Sequence, residues 1–308
     1  LASKNNEQDV WDMFAKHDSM ILKKSDIVSW RINWQEKSIN IREMASELGL
    51  ALNSFVFWDD NPIERDKMTI QNPDVEVVDA PKNVLEWPAL IKDLDYFSKS
   101  KITSEDIKKS NQYKSRAKFQ RDASSALNEE EYLKSIKLSP KCLAINDSNL
   151  ARASQLCMKT NQFNLRTSRH TETDILSIIK HDNELAFLVN LTDIYGDHGI
   201  ISLICLKEFD SETVLIETFL MSCRVIGRDL ESWILYQTIN LCRKKGYKRI
   251  LGQFIQSERN HMAKDFYINH GFKKFDLPKT YLKSLNNTDN IFIINPKNFP
   301  VKKIKHFL

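Results

Sequence analysis

I-E-T-F-L-M-S-C-R-V-I-G-R-D-L-E, residues 216–231, is the stretch that decides how the second half of this chain folds. β-Branched and apolar residues over 214–221 predict a buried strand, and apolar residues at helical spacing over 229–244 predict a helix. A tight turn lies between them and carries Cys223, Arg224, Gly227 and Arg228. The stretch therefore predicts a strand that delivers a cysteine to the start of a helix.

This turn combines a thiol with positive charge. Unpaired N–H groups and the helix dipole favour an anion such as phosphate at a helix N-terminus. A thiol beside arginines and such a terminus ionises more easily, and the thiolate is the reactive form. Cys223 is thus a candidate nucleophile, with Arg224, Gly227 and Arg228 as a candidate phosphate cradle. The alternative is that Cys223 is a small apolar residue buried at a strand end.

Composition limits the class of protein. With 308 residues, 42% of them apolar and 28% charged, the chain has room for two globular domains. It contains no apolar run of about 18 residues and no signal peptide, so we expect no membrane partner. A net charge of +4 gives no indication of nucleic acid. Five cysteines without metal-like spacing fit a reducing cytoplasm better than a disulfide framework.

Helices and short strands alternate through residues 1–100. Helices are predicted over 7–16 and 34–48, with Gly49 ending the second, and short strands over 54–58 and 75–78. Further helices are predicted from Pro62 and over 82–97. This order predicts a parallel sheet with helices on its faces, whose ligands gather at the carboxyl ends of the strands.

Polar residues stand at two of these strand ends. Asp59 and Asp60 follow a buried strand directly, and paired carboxylates suit Mg²⁺. Ser3 stands at another strand end, and Lys37 could supply a positive charge for a phosphate. The alternative is that Asp59-Asp60-Asn61-Pro62 only caps the helix that follows.

These residues carry a family resemblance. S-K-N at 3–5, Lys37 and F-W-D-D-N-P-I-E-R at 57–65 resemble the later motifs of the HAD phosphatase superfamily, and D-D-N-P-x-E-R resembles its FkbH-like branch. The resemblance implies that Ser3 binds phosphate, that Lys37 is the lysine of the third motif, and that Asp59 and Asp60 bind Mg²⁺. The family's first motif, D-x-D-x-T/V with the nucleophilic aspartate, is missing. We therefore expect a fragment of a longer protein, without phosphatase activity.

A charged helical bridge is predicted over 101–138. It begins with a capping sequence, Thr103-Ser104-Glu105-Asp106. FkbH-like proteins carry a similar bridge with T-x-E-D followed by Y-x-x-x-A, and Tyr113 and Ala117 match the second motif. Its basic residues form either a solvated helix face or a dock for an acidic partner. They are Lys108, Lys109, Lys114, Arg116, Lys118 and Arg121.

A second α/β domain is predicted over 139–285, followed by a C-terminal tail at 286–308 with one apolar strand at 291–294. Its order of strands and helices resembles the GNAT acyltransferase fold. Residues 224–229 are similar to the pyrophosphate loop of that fold, R/Q-x-x-G-x-G/A, and residues 260–272 resemble N-x-x-A-x-x-F-Y-x-x-x-G-F. Asp229 replaces the usual Gly or Ala and would repel a pyrophosphate, which makes coenzyme A a doubtful ligand.

The predicted fold class is thus α/β: a partial HAD-like Rossmannoid parallel sheet, then a GNAT-like mixed α/β domain. K-T-N-Q-F-N-L (159–165), G-D-H-G (196–199) and T-F-L-M-S-C-R-V-I-G-R (218–228) extend the resemblance to FkbH-like proteins to about residue 275. That family implies glyceryl transfer. The acyl phosphate of 1,3-bisphosphoglycerate is captured as a cysteine thioester, the remaining phosphate is removed, and the glyceryl group passes to the phosphopantetheine thiol of an acyl carrier protein.

This chemistry needs a thiolate, a base and a cationic pocket. Cys223 is the predicted thiol, His198 the base and Asp197 the group that orients it, while Arg224 and Arg228 would hold phosphate. The remaining candidates are the amides Asn161, Gln162 and Asn164, for the glycerate hydroxyl and carbonyl, and Tyr267 as a general acid. Each has a plainer alternative: a turn residue for His198, a polar loop for the amides, and a buried core position for Tyr267.

Two other functions fit the same sequence. The first is an acyl-CoA-dependent N- or O-acyltransferase in which Cys223 is inert. The second is a non-catalytic module that docks a carrier protein through the basic helices at 101–121. In that case, binding would survive Cys223→Ala and fail after charge reversal of Lys108 and Lys114.

Overall fold

A computed structural model describes residues 1–96, 104–181, 185–276, 290–299 and 307, with the side chains of 104–109 left aside. The chain divides into two compact units, Leu1–Ser125 and Ala126–Leu308. The predicted bridge at 101–138 is therefore split between the two units. Residues 101–103 of the bridge, and Lys108 and Lys109 as side chains, lie outside the described residues.

The first unit alternates short strands with helices. Its elements are β1 (Ala2–Ser3), α1 (Glu7–Lys16), β2 (Arg31–Ile32), α2 (Lys37–Leu48), β3 (Val56–Phe57), α3 (Pro62–Gln71), β4 (Glu76–Val77), α4 (Trp87–Asp93) and α5 (Ser104–Ser125). β1 pairs with β2 and β3 with β4, both in parallel. This confirms the predicted parallel pairing, although the two pairs form separate two-stranded sheets among the described residues.

α2, α3 and β3 supply most of one core cluster in the first unit. Met68 of α3 is fully buried and packs with Ile41, Met44 and Phe57. α2 ends, as predicted, at Gly49, whose φ of +65° is a left-handed conformation that glycine adopts without strain.

Glycine at position 49 also makes room for α5. A Cβ there would lie 2.7 Å from Arg116 Cζ, and Arg116 Nε donates to the Glu47 carbonyl. The absence of a side chain at Gly49 is therefore part of how α5 packs on α2.

The second unit is built on one mixed sheet. Its elements are α6 (Glu129–Ser135), β5 (Ser139–Ala144), α7 (Asp147–Lys159), β6 (Phe163–Asn164), α8 (Glu172–His181), β7 (Ala186–Asp193), β8 (Gly196–Asp210), β9 (Thr213–Met221), α9 (Leu230–Lys244), β10 (Arg249–Gln253), α10 (Phe266–Asn269), β11 (Lys273–Lys274) and β12 (Ile291–Ile294). The strand order is β11-β12-β10-β9-β8-β7-β5, with β6 pairing with β9. The predicted α/β class is confirmed.

β9 is the centre of this sheet. It pairs antiparallel with β8 and in parallel with β10, but the parallel pairing covers only Thr213–Leu215. Beyond that point β6 pairs with β9, because Phe163 lies opposite Met221 and Asn164 opposite Leu220. The Ile255 N–H donates to the Leu165 carbonyl. Residues 163–165 thus fill the space where β9 and β10 diverge.

Two boundaries differ from the prediction. β12 pairs antiparallel with both β10 and β11, so residues 291–294 belong to the sheet rather than to a separate tail. The sequence pattern also predicts one helix over 260–270, but this stretch is a 3₁₀ turn at His261–Ala263 followed by the short α10. Apolar spacing alone does not distinguish a continuous helix from two short turns.

The helices differ in how much of their surface is apolar and buried. α9 buries most of its faces, whereas α5 is dominated by charged and polar residues. None of the helices in the described ranges is both long enough and apolar enough to cross a membrane.

Candidate functional site

Cys223 lies where the central strand ends. β9 stops at Met221, the Ser222 N–H donates to the Ile201 carbonyl at 2.7 Å, and Cys223–Val225 then forms a 3₁₀ turn. The Cys223 residue is half-buried. All five cysteines fall in the described ranges and none forms a disulfide, and only Cys223 and Cys142 retain substantial exposed surface. Cys223 therefore combines an exposed face with a position fixed by the sheet.

The turn after Cys223 has an unusual backbone. Gly227 has φ of +90° and Asp229 has φ of +53°, and α9 begins at the next residue, Leu230. Arg224 Nε donates to Ser222 Oγ at 3.1 Å, while Arg228 donates to the Arg224 carbonyl at 3.2 Å. The two arginines thus stabilise the turn in which they lie.

A buried charged cluster stands beside this turn. Asp193 Oδ2 accepts a hydrogen bond from Arg228 Nε at 2.9 Å, and Asp193 Oδ1 lies 2.9 Å from His198 Nε2. All three side chains are almost completely buried. Burial alone would raise the pKa of Asp193, but His198 and the charge of Arg228 outweigh it and hold that pKa below its usual range. Burial lowers the pKa of Arg228, although Asp193 opposes this shift.

Asp193, rather than the predicted Asp197, is the carboxylate beside His198. Asp197 is exposed, and its Oδ1 accepts from the Gly199 N–H at 2.8 Å. The reason is a bulge in the β7–β8 hairpin: Leu191 pairs with Gly199 and Thr192 with Asp197, so His198 is the extra residue. A bulge re-aims a side chain, and here it buries His198 against the end of β7. No motif in the sequence points to Asp193.

His198 and Cys223 lie at the same end of the sheet. In the antiparallel register of β8 and β9, Ser202 pairs with Met221. The first residues of β8, including His198, therefore lie alongside the chain that follows β9. The structure brings Cys223, Arg224, His198 and Arg228 into one region, although Arg228 is fully buried and ion-paired rather than exposed to a ligand.

The predicted amides lie beside the same strand end. Because Phe163 pairs antiparallel with Met221, Asn161 and Gln162 flank the residues after Met221. Asn161 Oδ1 accepts from Arg169, and Gln162 is half-buried.

Asn164 has a different environment. It is buried, its Oδ1 accepts from the Thr167 N–H at 2.9 Å, and its carbonyl accepts from Asn260 at 2.9 Å. Asn164 therefore holds the loop together, whereas Asn161 and Gln162 retain exposed surface.

Tyr267 is a core residue in this structure. Its ring packs on Phe272 and Phe292 and lies directly over Gly252, where a Cβ would come within 2.3 Å of Tyr267 Cε1. Its hydroxyl is buried without a hydrogen-bond partner in the part of the chain that the structure describes. Burial raises the pKa of Tyr267 above its usual value.

In the first unit, Lys37 and Asp59 form an ion pair. Lys37 Nζ lies 2.5 Å from Asp59 Oδ2, and Asp59 Oδ1 accepts from the Asn61 N–H at 3.0 Å. Asp60 is exposed. Asn61 Oδ1 accepts from the Ile63 N–H and so caps α3, as the alternative interpretation of this stretch expected.

An ion pair joins the segments that follow β1 and β3 in the first unit. Ser3 is the last residue of β1, and the next residue, Lys4, forms an ion pair with Glu64 of α3 at 2.7 Å. The two segments that carry the HAD-like motifs are therefore neighbours. Lys4 and Glu64, one from each segment, were not predicted as a pair.

The donor set for Mg²⁺ in this unit is small. Asp59 and Asp60 supply carboxylate oxygens of the kind that Mg²⁺ prefers. Both Asp59 oxygens already have partners, and no three His, Cys, Asp or Glu side chains converge anywhere in the described ranges. A Mg²⁺ ion bound to Asp59 would share that carboxylate with the Lys37 ammonium.

Comparisons with known proteins give no family assignment. No model of a known protein family matches the chain, and no curated protein matches it. Solved structures that resemble it include the N-terminal part of the protein BF1531 from Bacteroides fragilis, which contains a phosphatase domain and was determined with Mg. That structure is 33% identical over 33% of this chain, with a TM-score of 0.31, and this chain covers 27% of its length.

Other similar structures are acetyltransferases. A GNAT-family acetyltransferase from Staphylococcus aureus is 14% identical over 51% of this chain, which covers 99% of its length, with a TM-score of 0.39. N-acetylglutamate synthase from Neisseria gonorrhoeae, determined with coenzyme A and N-acetyl-glutamate, is 14% identical over 51% of this chain and 35% of its own, also with a TM-score of 0.39. That complex gives no support to the expectation that coenzyme A is a doubtful ligand. All these TM-scores lie below 0.5, so the site residues themselves must support a function.

Proposed function

We propose that the second unit is an acyltransferase that works through Cys223 and transfers a glyceryl group. The observation that carries this proposal is the position of Cys223, half-buried at the end of β9 with the His198–Asp193 pair on the neighbouring hairpin. The FkbH-like motifs at 159–165, 196–199 and 218–228 all fall in this region. A nucleophile, a base and a group that orients the base are the parts that covalent acyl transfer requires.

The first step is capture of the acyl group. His198 takes the thiol proton, and since Asp193 faces Nε2, the nitrogen that accepts this proton is Nδ1. The thiolate attacks the acyl-phosphate carbon of 1,3-bisphosphoglycerate, a C–S bond forms, and the C–O bond to phosphate breaks. Asp193 stabilises the imidazolium that results. The phosphate leaves with the electron pair and takes this proton, so it departs as hydrogen phosphate and His198 is neutral again.

Charge at the turn assists the leaving phosphate. Arg224 is half-buried, and the Gly227 backbone is exposed at the start of α9, so these groups can contact an anion. Arg228 has a different role, because its guanidinium holds Asp193 and the Arg224 carbonyl in place. We therefore assign phosphate binding to Arg224 and the turn backbone, and positioning to Arg228.

The second step passes the acyl group to a carrier protein. His198, neutral again, takes the proton of the phosphopantetheine thiol of an acyl carrier protein. The thiolate attacks the thioester carbon, a new C–S bond forms, and Cys223 leaves as a thiolate. The exchange is close to neutral in energy because one thioester replaces another. Protonated His198 returns its proton to Cys223, and the site is ready for another cycle.

The first unit would act on the remaining phosphate in a protein that carries the complete set of HAD motifs. There, Ser3 and Lys37 would contact the phosphate, and Asp59 and Asp60 would hold Mg²⁺, which neutralises phosphate charge. The D-x-D-x-T/V motif is not in this sequence. That this chain removes no phosphate stays a prediction.

A transfer assay tests the proposal. The chain is incubated with 1,3-bisphosphoglycerate and a phosphopantetheinylated carrier protein, and the intact mass of the carrier is followed. We expect acylated carrier with the parent chain and with Cys142→Ala, the control for the other exposed cysteine, and none with Cys223→Ala. Activity that persists in Cys223→Ala would overturn the proposed role of the thiol.

The same assay separates the other two functions. Replacing 1,3-bisphosphoglycerate with acetyl-coenzyme A tests the acyl-CoA-dependent transferase, for which Cys223→Ala would retain activity. Carrier binding without transfer, kept by Cys223→Ala and lost on Lys114→Glu, would support a docking module. Either result would replace the proposal.

A further inference from the structure

A small polar cavity lies at the N-terminus of α9, and Cys223, Arg224 and His198 are not among its lining residues. It measures about 270 Å³ and lies between the first turn of α9, α10 and the short strand β6. The lining residues that matter here are Phe163, Asp229, Glu231, Ser232, Phe266 and His270. Its walls therefore combine carboxylates with aromatic rings.

Glu231 places an uncompensated acid in this cavity. Its Oε2 atom is fully buried, and no donor in the described part of the chain reaches that atom. Burial, together with the neighbouring charge of Asp229, raises the pKa of Glu231 to about 7. Ionised carboxylates that are buried without a partner are costly, and a bound cation removes that cost.

Asp229, by contrast, already takes part in a series of hydrogen bonds. Ser232 Oγ lies 2.5 Å from Asp229 Oδ1 and 2.9 Å from His270 Nε2, and His270 Nδ1 lies 2.7 Å from the Phe266 carbonyl. Ser232 has one hydroxyl hydrogen. The structure directs it to Asp229 Oδ1, so that oxygen has a donor, whereas Glu231 Oε2 has none in the described part of the chain.

The aromatic side of the cavity suits the same kind of ligand. The rings of Phe163 and Phe266 meet edge to face, with centroids 5.4 Å apart. A ring face attracts a cation, and carboxylate and ring together recognise ammonium groups. An anion would instead meet two carboxylates, which outweigh the partial positive charge of roughly half a unit at the helix end.

We infer that this cavity binds an alkylammonium group, held by Glu231 and Asp229 against the rings of Phe163 and Phe266. The binding site is distinct from Cys223 and holds whether or not the proposed acyl transfer is correct. A small free amine and the side chain of a lysine share this chemistry, and the probes below distinguish them.

Met262, which also lines the cavity, provides a direct readout. We would titrate the chain, labelled with ¹³C at the methionine methyl groups, with n-butylammonium, n-butanol and inorganic pyrophosphate, and identify the Met262 signal with Met262→Leu. Only butylammonium is expected to shift this signal in a saturable manner. Glu231→Gln should weaken its binding at least tenfold, while the exposed control Glu258→Gln should not change it.

The dependence on pH gives a second test. The titratable groups that face Glu231 are Asp229 in the turn and His270 at the end of α10, and β6 contributes only an apolar ring. Since the ligand needs ionised Glu231, butylammonium should bind about tenfold more weakly at pH 6 than at pH 8. Binding of butanol as tight as that of butylammonium, an unchanged affinity in Glu231→Gln, or a saturable response to pyrophosphate would each overturn the inference.

A third ligand distinguishes between the two sources of the ammonium group. Nα-acetyl-lysine amide presents the same group on a peptide backbone. If it binds as tightly as butylammonium or more tightly, the cavity accepts a protein lysine. If only butylammonium binds, the ligand is a small amine. Cys223→Ala should bind both probes as the parent does, so a failure of acyl transfer does not affect this test.

Discussion

Replacing Asp193 with Asn should destabilise the second unit far more than the same change at Asp197. The Asp193 side chain is fully buried, accepts a hydrogen bond from Arg228 Nε at 2.9 Å and lies 2.9 Å from His198 Nε2. An asparagine would turn its NH₂ group toward one of these two nitrogens and would remove the negative charge that pairs with Arg228. Removing one partner of a buried ion pair costs about 3–5 kcal/mol. Asp197 is exposed, and its replacement should cost within about 0.5 kcal/mol.

The assay is scanning calorimetry of the full chain, in which the transition affected by Asp193→Asn is assigned to the second unit. For a unit of this size, each kcal/mol shifts the midpoint by about 2–4 °C, so Asp193→Asn should lower it by roughly 6–20 °C. Because the folded-state pKa of Asp193 is lowered, its contribution is present above the pKa of the unfolded state and is lost as the pH falls through the folded pKa. The difference between parent and variant should therefore shrink at acidic pH.

Two outcomes would refute this reasoning. If Asp193→Asn and Asp197→Asn lower the midpoint equally, the buried cluster is not what holds the hairpin against the turn. If the difference between parent and Asp193→Asn grows toward acidic pH, the carboxylate is not ionised in the folded state.

Three further predictions follow from other residues. Glu231→Gln should stabilise the chain by up to about 3 kcal/mol at pH 8 and have little effect at pH 5. The reason is that a raised carboxyl pKa destabilises the folded state only at pH values above the pKa of the same group in the unfolded chain. Urea unfolding at both pH values measures this, and equal effects at the two pH values would contradict it. Gly252→Ala should cost about 1–3 kcal/mol, since its Cβ would meet the Tyr267 ring, and a calorimetric midpoint unchanged from the parent would exclude that contact. Asn61→Ala should cost about 1 kcal/mol, because it removes the side-chain cap that accepts from the Ile63 N–H. Hydrogen exchange should show this as a loss of amide protection in the first turn of α3, whereas Asn61→Asp, which keeps an oxygen acceptor, should retain the protection.

Local patterns were sufficient to predict much of the fold. β-Branched residues and the turn at Gly227 gave β9 and α9 within a residue or two, and Gly49 and Pro62 marked helix ends correctly. These are local preferences of the backbone, which a sequence displays directly. The pairing of β12 with β10 and β11 depends on contacts between distant residues, and the sequence does not display them.

The site could be predicted only in its coarse placement. The motifs placed His198 near the turn of Cys223, and the sheet register agrees with that placement. The bulge that buries His198 against Asp193 adds one residue to a strand and changes which side chains face each other, which no spacing rule anticipates. Arg228 illustrates the same limit, because its partner Asp193 lies 35 residues away in the chain.

The most direct test of the central claim is the intact mass of this chain after incubation with 1,3-bisphosphoglycerate alone. We expect one phosphoglyceryl adduct on the parent and on Cys142→Ala, released by hydroxylamine as a thioester would be, and no adduct on Cys223→Ala. An adduct that persists on Cys223→Ala, or a parent chain that stays unmodified while 1,3-bisphosphoglycerate remains intact in the mixture, would contradict the assignment of Cys223 as the acyl-accepting thiol.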